Sequence, residues 1–157
     1  MRSAIAHLGC PTHVWQTKSG YPSRASAGTT LADTDRMALA ADRRVLVVDD
    51  DSRPRRATAR VLQRRLACEV VHASGALRAL AIVRRERIDA VVTDIEMPEM
   101  DGFEFLEHLE TEFPELPVIV WTGSDRADQL AEGRVSFVLR KTEPIADLVD
   151  GISILLR

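Results

Sequence analysis

The chain has 157 residues, of which 45% are hydrophobic and 29% charged, with a formal net charge of −3. That balance suits one ordinary core and argues against a second domain. No run approaches eighteen uninterrupted apolar residues and the start, MRSAIAHLGCPTHVW, lacks the apolar stretch of a secretory signal, so a cytoplasmic protein without a membrane anchor is expected. Aromatic residues make up only 4%, so aliphatic side chains must build the core. The two cysteines, Cys10 and Cys68, lie far apart, so reduced thiols are the simpler assumption.

Residues 1–43 mix Ser, Thr, Ala, Gly and Pro without a lasting period, apart from a short helical pattern over DTDRMALAADR. We expect a flexible N-terminal extension there, or an upstream start codon, since Met37 stands just ahead of the first strand. Its five basic and three acidic residues give +2, so 44–157 carries −5. His7, Cys10 and His13 could supply three metal ligands, but a closed structural site wants a fourth ligand and a fold around it.

From Arg44 onward short β-branched runs alternate with amphipathic segments. The strand candidates are Val45–Val48, Glu69–His72, Ala90–Thr93, Val118–Trp121 and Ser136–Leu139. Between them Leu62 and Leu66, then Leu77, Leu80 and Ala81, then Phe105, Leu106 and Leu109 recur at helical spacing. Ile145, Leu148, Val149, Ile152, Leu155 and Leu156 form a final apolar stripe. The alternation predicts an α/β fold, a doubly wound five-stranded parallel sheet with helices on both faces.

In such a sheet the chemistry lies beyond the carboxyl ends of the strands. The first strand ends in Asp49 and Asp50, the third in Asp94, the fourth in Thr122 and Gly123, the fifth in Lys141. Two ionised carboxylates about 4 Å apart repel by roughly 4 kcal/mol at an effective dielectric of about 20, so three in one crevice call for a cation. A hard divalent ion answers, Mg2+ above all, because it accepts one or two carboxylates and leaves sites for a phosphate oxygen. Lys141 could then pair with a phosphoryl oxygen or with Asp94, and the Thr122 hydroxyl could bond another oxygen, which suits phosphoryl transfer to a carboxylate nucleophile. The plainer alternative is helix capping: Asp51 or Ser52 is well placed to cap the helix that runs through RPRRATARVL.

Residues 44–157 resemble the receiver domain of two-component response regulators. VLVVDDD is similar to that family's acidic first-strand motif, DIEMPEMDG to its phosphoacceptor loop and VWTG to its fourth-strand end. The resemblance implies a flavodoxin-like strand order, 2-1-3-4-5, and a phosphoryl group accepted on Asp94 from a histidine kinase or phosphotransfer protein. It implies Mg2+ held by Asp49, Asp50, Asp94 and the backbone carbonyl of Glu96, with catalytic roles for Thr122 and Lys141. Thr122 would be the switch hydroxyl, Gly123 would leave the pocket open to the donor histidine, and Pro98 and Gly102 would shape the loop.

Three departures stand out. Thr142, not proline, follows Lys141, so a cis peptide is not expected. Arg140 precedes Lys141 and could take the lysine's place after a one-residue shift, although that would turn the strand over. The family's aromatic switch position holds Val138, beside Phe137. Between Thr122 and Lys141, DRADQLAEG offers about two turns of helix, so a small fourth helix is expected.

The chain ends soon after the last helix, so we expect output through a downstream protein target, with no attached domain. A homodimer is left open. Arg53, Arg56, Arg60 and Arg64 share one face of the first helix, flanked by Arg55 and Arg65. The alternatives are a solvated face or a dock for an acidic partner bundle; without an aromatic platform or helix-turn-helix, nucleic acid is not expected. Haloacid-dehalogenase-type phosphatases also combine a strand-end aspartate, Mg2+, Thr or Ser and Lys, but Arg53 stands where that motif wants Thr or Val. A receiver-like adaptor that is never phosphorylated is the other alternative.

Overall fold

The structure is a computed structural model and describes residues 42–130 and 135–157. The proposed extension and its His7, Cys10 and His13 therefore lie almost wholly outside the described residues, which begin at Asp42. Strands β1 (Arg44–Val48), β2 (Glu69–Ala73), β3 (Ala90–Thr93), β4 (Val118–Thr122) and β5 (Phe137–Arg140) form one sheet in the order β2-β1-β3-β4-β5. Every neighbouring pair is parallel. Each strand but β3 differs from its expected bounds by a residue at one or both ends, as strand edges often do.

Strand side chains alternate between two cores. Val45 and Val47 pack on one face with Leu62 and Leu66 of α1 (Ser52–Leu66) and Leu148 and Ile152 of α4 (Ile145–Leu155). Leu46 and Val48 pack on the other with α2 (Ala76–Val83) and α3 (Gly102–Glu112), including Phe105, Leu106 and Leu109. Burial on both faces explains why β1, β3 and β4 read as unbroken apolar runs.

The face of α2 differs from the sequence reading. Leu77 is 52% exposed and Ala81 is also exposed, while Ala76, Ala79, Leu80 and Val83 are buried. The buried set follows the i, i+3, i+4, i+7 pattern, and its alanines let the helix lie close to the sheet; the largest apolar side chain is not always the one turned inward.

The fourth helix is also smaller than expected. After β4 comes one 3-10 segment, Asp125–Gln129, in place of two α-helical turns. It is held from two sides: the Arg140 guanidinium donates to the Ser124 carbonyl and to Asp128 Oδ1, and Arg126 pairs with Asp101 at 3.0 Å while lying 4.9 Å from the Phe103 ring centroid.

Candidate functional site: an acidic cluster at the carboxyl ends of the strands

The parallel sheet delivers the ends of β1, β3, β4 and β5 to one place. Asp49 is 5% exposed, Asp94 8% and Thr122 0%. The ladder extends one residue past the strands through Asp94 N to the Val48 carbonyl and Lys141 N to the Thr122 carbonyl, so both side chains start from fixed backbone.

Lys141 Nζ lies 2.7 Å from Asp49 Oδ2 and 2.5 Å from Asp94 Oδ2, bridging the two acids. Asp94 Oδ1 accepts from Thr122 Oγ1 at 2.6 Å and from the Ile95 amide at 2.6 Å. Both oxygens of Asp94 are thus held, from β4 on one side and from beyond β5 on the other. Asp49 Oδ1 accepts from the Asp51 amide at 2.9 Å.

Burial raises the Asp49 carboxyl above the ordinary aspartate value, although the hydrogen bond and charge of Lys141 pull the other way. Burial also disfavours the Lys141 ammonium, but its hydrogen bonds to Asp49 and Asp94 prevail and its pKa is raised. The one ammonium is thus held tightly between two carboxylates, while at Asp49 burial still outweighs it.

The three consecutive aspartates have separate tasks. Asp49 joins the buried cluster, Asp51 caps α1 by accepting from Arg53 N, and Asp50 is exposed. The capping expectation therefore holds for one of the three. Arg140 does not stand in for Lys141: its guanidinium serves the 3-10 segment. The structure does not bring Val138 to the cluster. It is 40% exposed, while Phe137 and Leu139 point into the opposite core. No peptide among the described residues is cis.

The phosphoacceptor-like loop is shaped by close approach. Gly102, first residue of α3, donates to the Ile95 carbonyl at 2.7 Å, and a Cβ there would stand 2.5 Å from Ile95 Cα and 2.7 Å from the Asp94 carbonyl oxygen. Only glycine lets the helix start so near Asp94. Glu99 has φ +69°, an uncommon left-handed conformation for a side-chain-bearing residue. At Gly123 an added Cβ would meet nothing within 4 Å, so the space beside this residue is open.

Several contacts were not anticipated. Ser124 Oγ donates to Glu96 Oε1 at 2.6 Å, joining the β3 and β4 loops. Arg55 reaches back from α1 to the carbonyls of Asp49 and Asp50. Neither pair follows a fixed sequence spacing, and only the strand order brings Ser124 to Glu96.

The donors suit a hard divalent cation: all are oxygen, and Asp49, Asp50 and Asp94 outnumber the one ammonium among them. Among the described residues no three acid, imidazole or thiol groups already converge as a metal site. Lys141 sits between two of the acids and the exposed Asp50 stands apart, so the set fits in chemistry while its third carboxylate must turn inward.

The family model for the response regulator receiver domain matches residues 45–152. Two-component response regulator ARR2 from Arabidopsis thaliana is 34% identical over 116 residues, covering 73% of this chain and 17% of that protein. Protein-glutamate methylesterase/protein-glutamine glutaminase 1 from Anaeromyxobacter dehalogenans is 45% identical over 80 residues, covering 51% of this chain and 22% of that one. The chain thus spans about a fifth of the length of these curated relatives. Among solved structures, a CheY-like response regulator receiver domain protein from Methanospirillum hungatei is 28% identical with a TM-score of 0.67, covering 73% of this chain and 94% of its own. TrrA from Thermotoga maritima, solved in complex with Mg2+-BeF, shares the fold with a TM-score of 0.67 at 24% identity, covering 72% of this chain and 98% of its own. With the family's model matching 45–152 and a response regulator 34% identical over 73% of the chain, the chain belongs to the response regulator receiver domain family.

Proposed function

We propose that Asp94 accepts a phosphoryl group from the phosphohistidine of a histidine kinase or phosphotransfer protein, in a Mg2+-dependent reaction read out by a downstream protein target. The observation that carries this reading is the grip on Asp94, one oxygen held by Thr122 and the Ile95 amide, the other by Lys141.

The carboxylate of Asp94 attacks phosphorus, an O–P bond forms as the N–P bond breaks, and the electron pair leaves on the imidazole nitrogen. Thr122 and Lys141, which hold the carboxylate beforehand, are then beside the incoming phosphoryl oxygens and exchange one anionic partner for another. Gly123 leaves room for the donor ring. Mg2+, when bound, would neutralise the surplus acid charge and polarise phosphoryl oxygens, with Asp49, Asp50, Asp94 and the Glu96 carbonyl as its ligands. Release of the Thr122 hydroxyl from Asp94 is the switch in this reading, because Val138 supplies no aromatic ring.

The test is incubation with acetyl phosphate and MgCl2, followed by location of the added group by peptide mass spectrometry. Labelling confined to the Asp94 peptide supports the proposal. Steady hydrolysis of unrelated phosphomonoesters would point instead to a phosphatase.

A further inference from the structure

We infer that Arg55 is a positioning residue that aims Asp50 at the cation. The inference rests on the reading of Asp49, Asp50 and Asp94 as magnesium ligands. Arg55 lies in the first turns of α1 and is only partly exposed, unlike Arg53, Arg56, Arg60 and Arg64 around it. Its Nη1 donates to the Asp49 carbonyl at 2.5 Å and to the Asp50 carbonyl at 3.2 Å.

Those two carbonyls belong to the peptide units on either side of the Asp50 Cα. Holding both with one guanidinium nitrogen fixes the backbone of Asp50 and so the direction of its Cα–Cβ bond. Asp49 and Asp94 need no such help, since their carboxylates are already fixed by Lys141, Thr122 and backbone amides. Asp50 is different: its carboxylate is exposed and its main chain is what the fold grips. A ligand whose side chain must turn inward loses less freedom on binding if its backbone is already set.

Arg55 also brings a positive charge close to a cation site, and charge alone would weaken cation binding. The two effects have opposite signs, which makes the inference testable. If positioning prevails, Arg55→Ala weakens Mg2+ binding; if repulsion prevails, it tightens binding. A guanidinium turned onto two carbonyl oxygens spends its field on them, and we take positioning to prevail.

The experiment is a MgCl2 titration of the full chain, followed through the backbone amide resonances of Asp50, Asp51 and Ile95. The expected result is a dissociation constant about five- to thirty-fold weaker in Arg55→Ala than in the unsubstituted chain, the scale of one released backbone. Arg55→Lys keeps the charge and one donor, so it should recover part of that loss; it also carries the test should the alanine variant not fold. Binding as tight as, or tighter than, the unsubstituted chain in Arg55→Ala, or in Arg55→Lys should the alanine variant not fold, overturns the inference and leaves the magnesium reading intact. Absence of saturable shifts in the unsubstituted chain overturns the magnesium reading and the inference with it.

Discussion

Aspartates paired with cations lie at opposite ends of the same sheet, and the two ends use the pairing differently. At the carboxyl end, Asp49 and Asp94 share the single ammonium of Lys141. At the amino end, Asp89 alone accepts from the Arg43 guanidinium at 3.0 Å, the Arg87 guanidinium at 2.8 Å and the Arg44 amide at 2.9 Å. Burial pushes the Asp89 carboxyl up, but these donors outweigh it and its pKa is lowered. Burial pushes Asp49 up too, and there the donors do not suffice. A carboxylate with more donors than it needs is a fastening, tying the start of β1 to the start of β3. At Asp49 burial outweighs the one ammonium that it shares with Asp94, and that difference from Asp89 separates the two ends more clearly than the presence of aspartate does.

The sharpest way to break the comparison is at the loop that carries Asp94. Gly102→Ala forces a Cβ against the backbone of Asp94 and Ile95, and should cost about 3 kcal/mol of stability in a urea denaturation series, the upper range for overpacking. Next comes Lys141→Ala, which strips two buried acids of their shared cation and should cost about 2 kcal/mol at neutral pH. With the ammonium gone, burial of Asp49 is unopposed, so a proton favours the folded state and the loss should shrink as pH is lowered. The ammonium's own contribution, with its pKa raised by folding, is present throughout the neutral range and lost only as pH rises through that raised value.

The amino end should respond less strongly, and its dependence on acid has another cause. Asp89→Asn keeps an acceptor for the Arg44 amide but gives up two charge-assisted bonds, and should cost about 1 kcal/mol. The folded-state pKa of Asp89 is depressed, so its contribution is present above the ordinary aspartate value and is lost as pH falls through the lower one. The difference from the unsubstituted chain in acid denaturation should therefore vanish at low pH. Smallest of all, Ala67→Gly relieves a left-handed residue, φ 52°, at the carboxyl end of α1 and should add about 0.5 kcal/mol by thermal denaturation.

The comparison also shows what a reader of sequence can reach. The sheet was legible because Val45–Val48, Ala90–Val92 and Val118–Trp121 are buried on both faces and so lack polar interruptions. Asp94 and Lys141 were legible because strand ends in a parallel sheet must meet. Asp89 was not: it stands before a strand and looks like any loop acid, and its partners Arg43 and Arg44 lie more than forty residues away. The inward face of α2 differs from the sequence reading because alanine carries little hydrophobic signal, yet Ala76 and Ala79 are among its most buried residues. Arg55 was counted in a basic stripe, since a spacing of five or six residues back to Asp50 and Asp49 matches no helical period.

The central claim is that the under-compensated end alone captures phosphorus. Its most direct measurement is an intact-mass time course of the unsubstituted chain, Asp94→Asn and Asp89→Asn with acetyl phosphate, each in MgCl2 and in excess chelator. One added phosphoryl group on the unsubstituted chain and on Asp89→Asn, only with magnesium, and none on Asp94→Asn is the predicted result. Labelling of Asp94→Asn at the unsubstituted rate would contradict it.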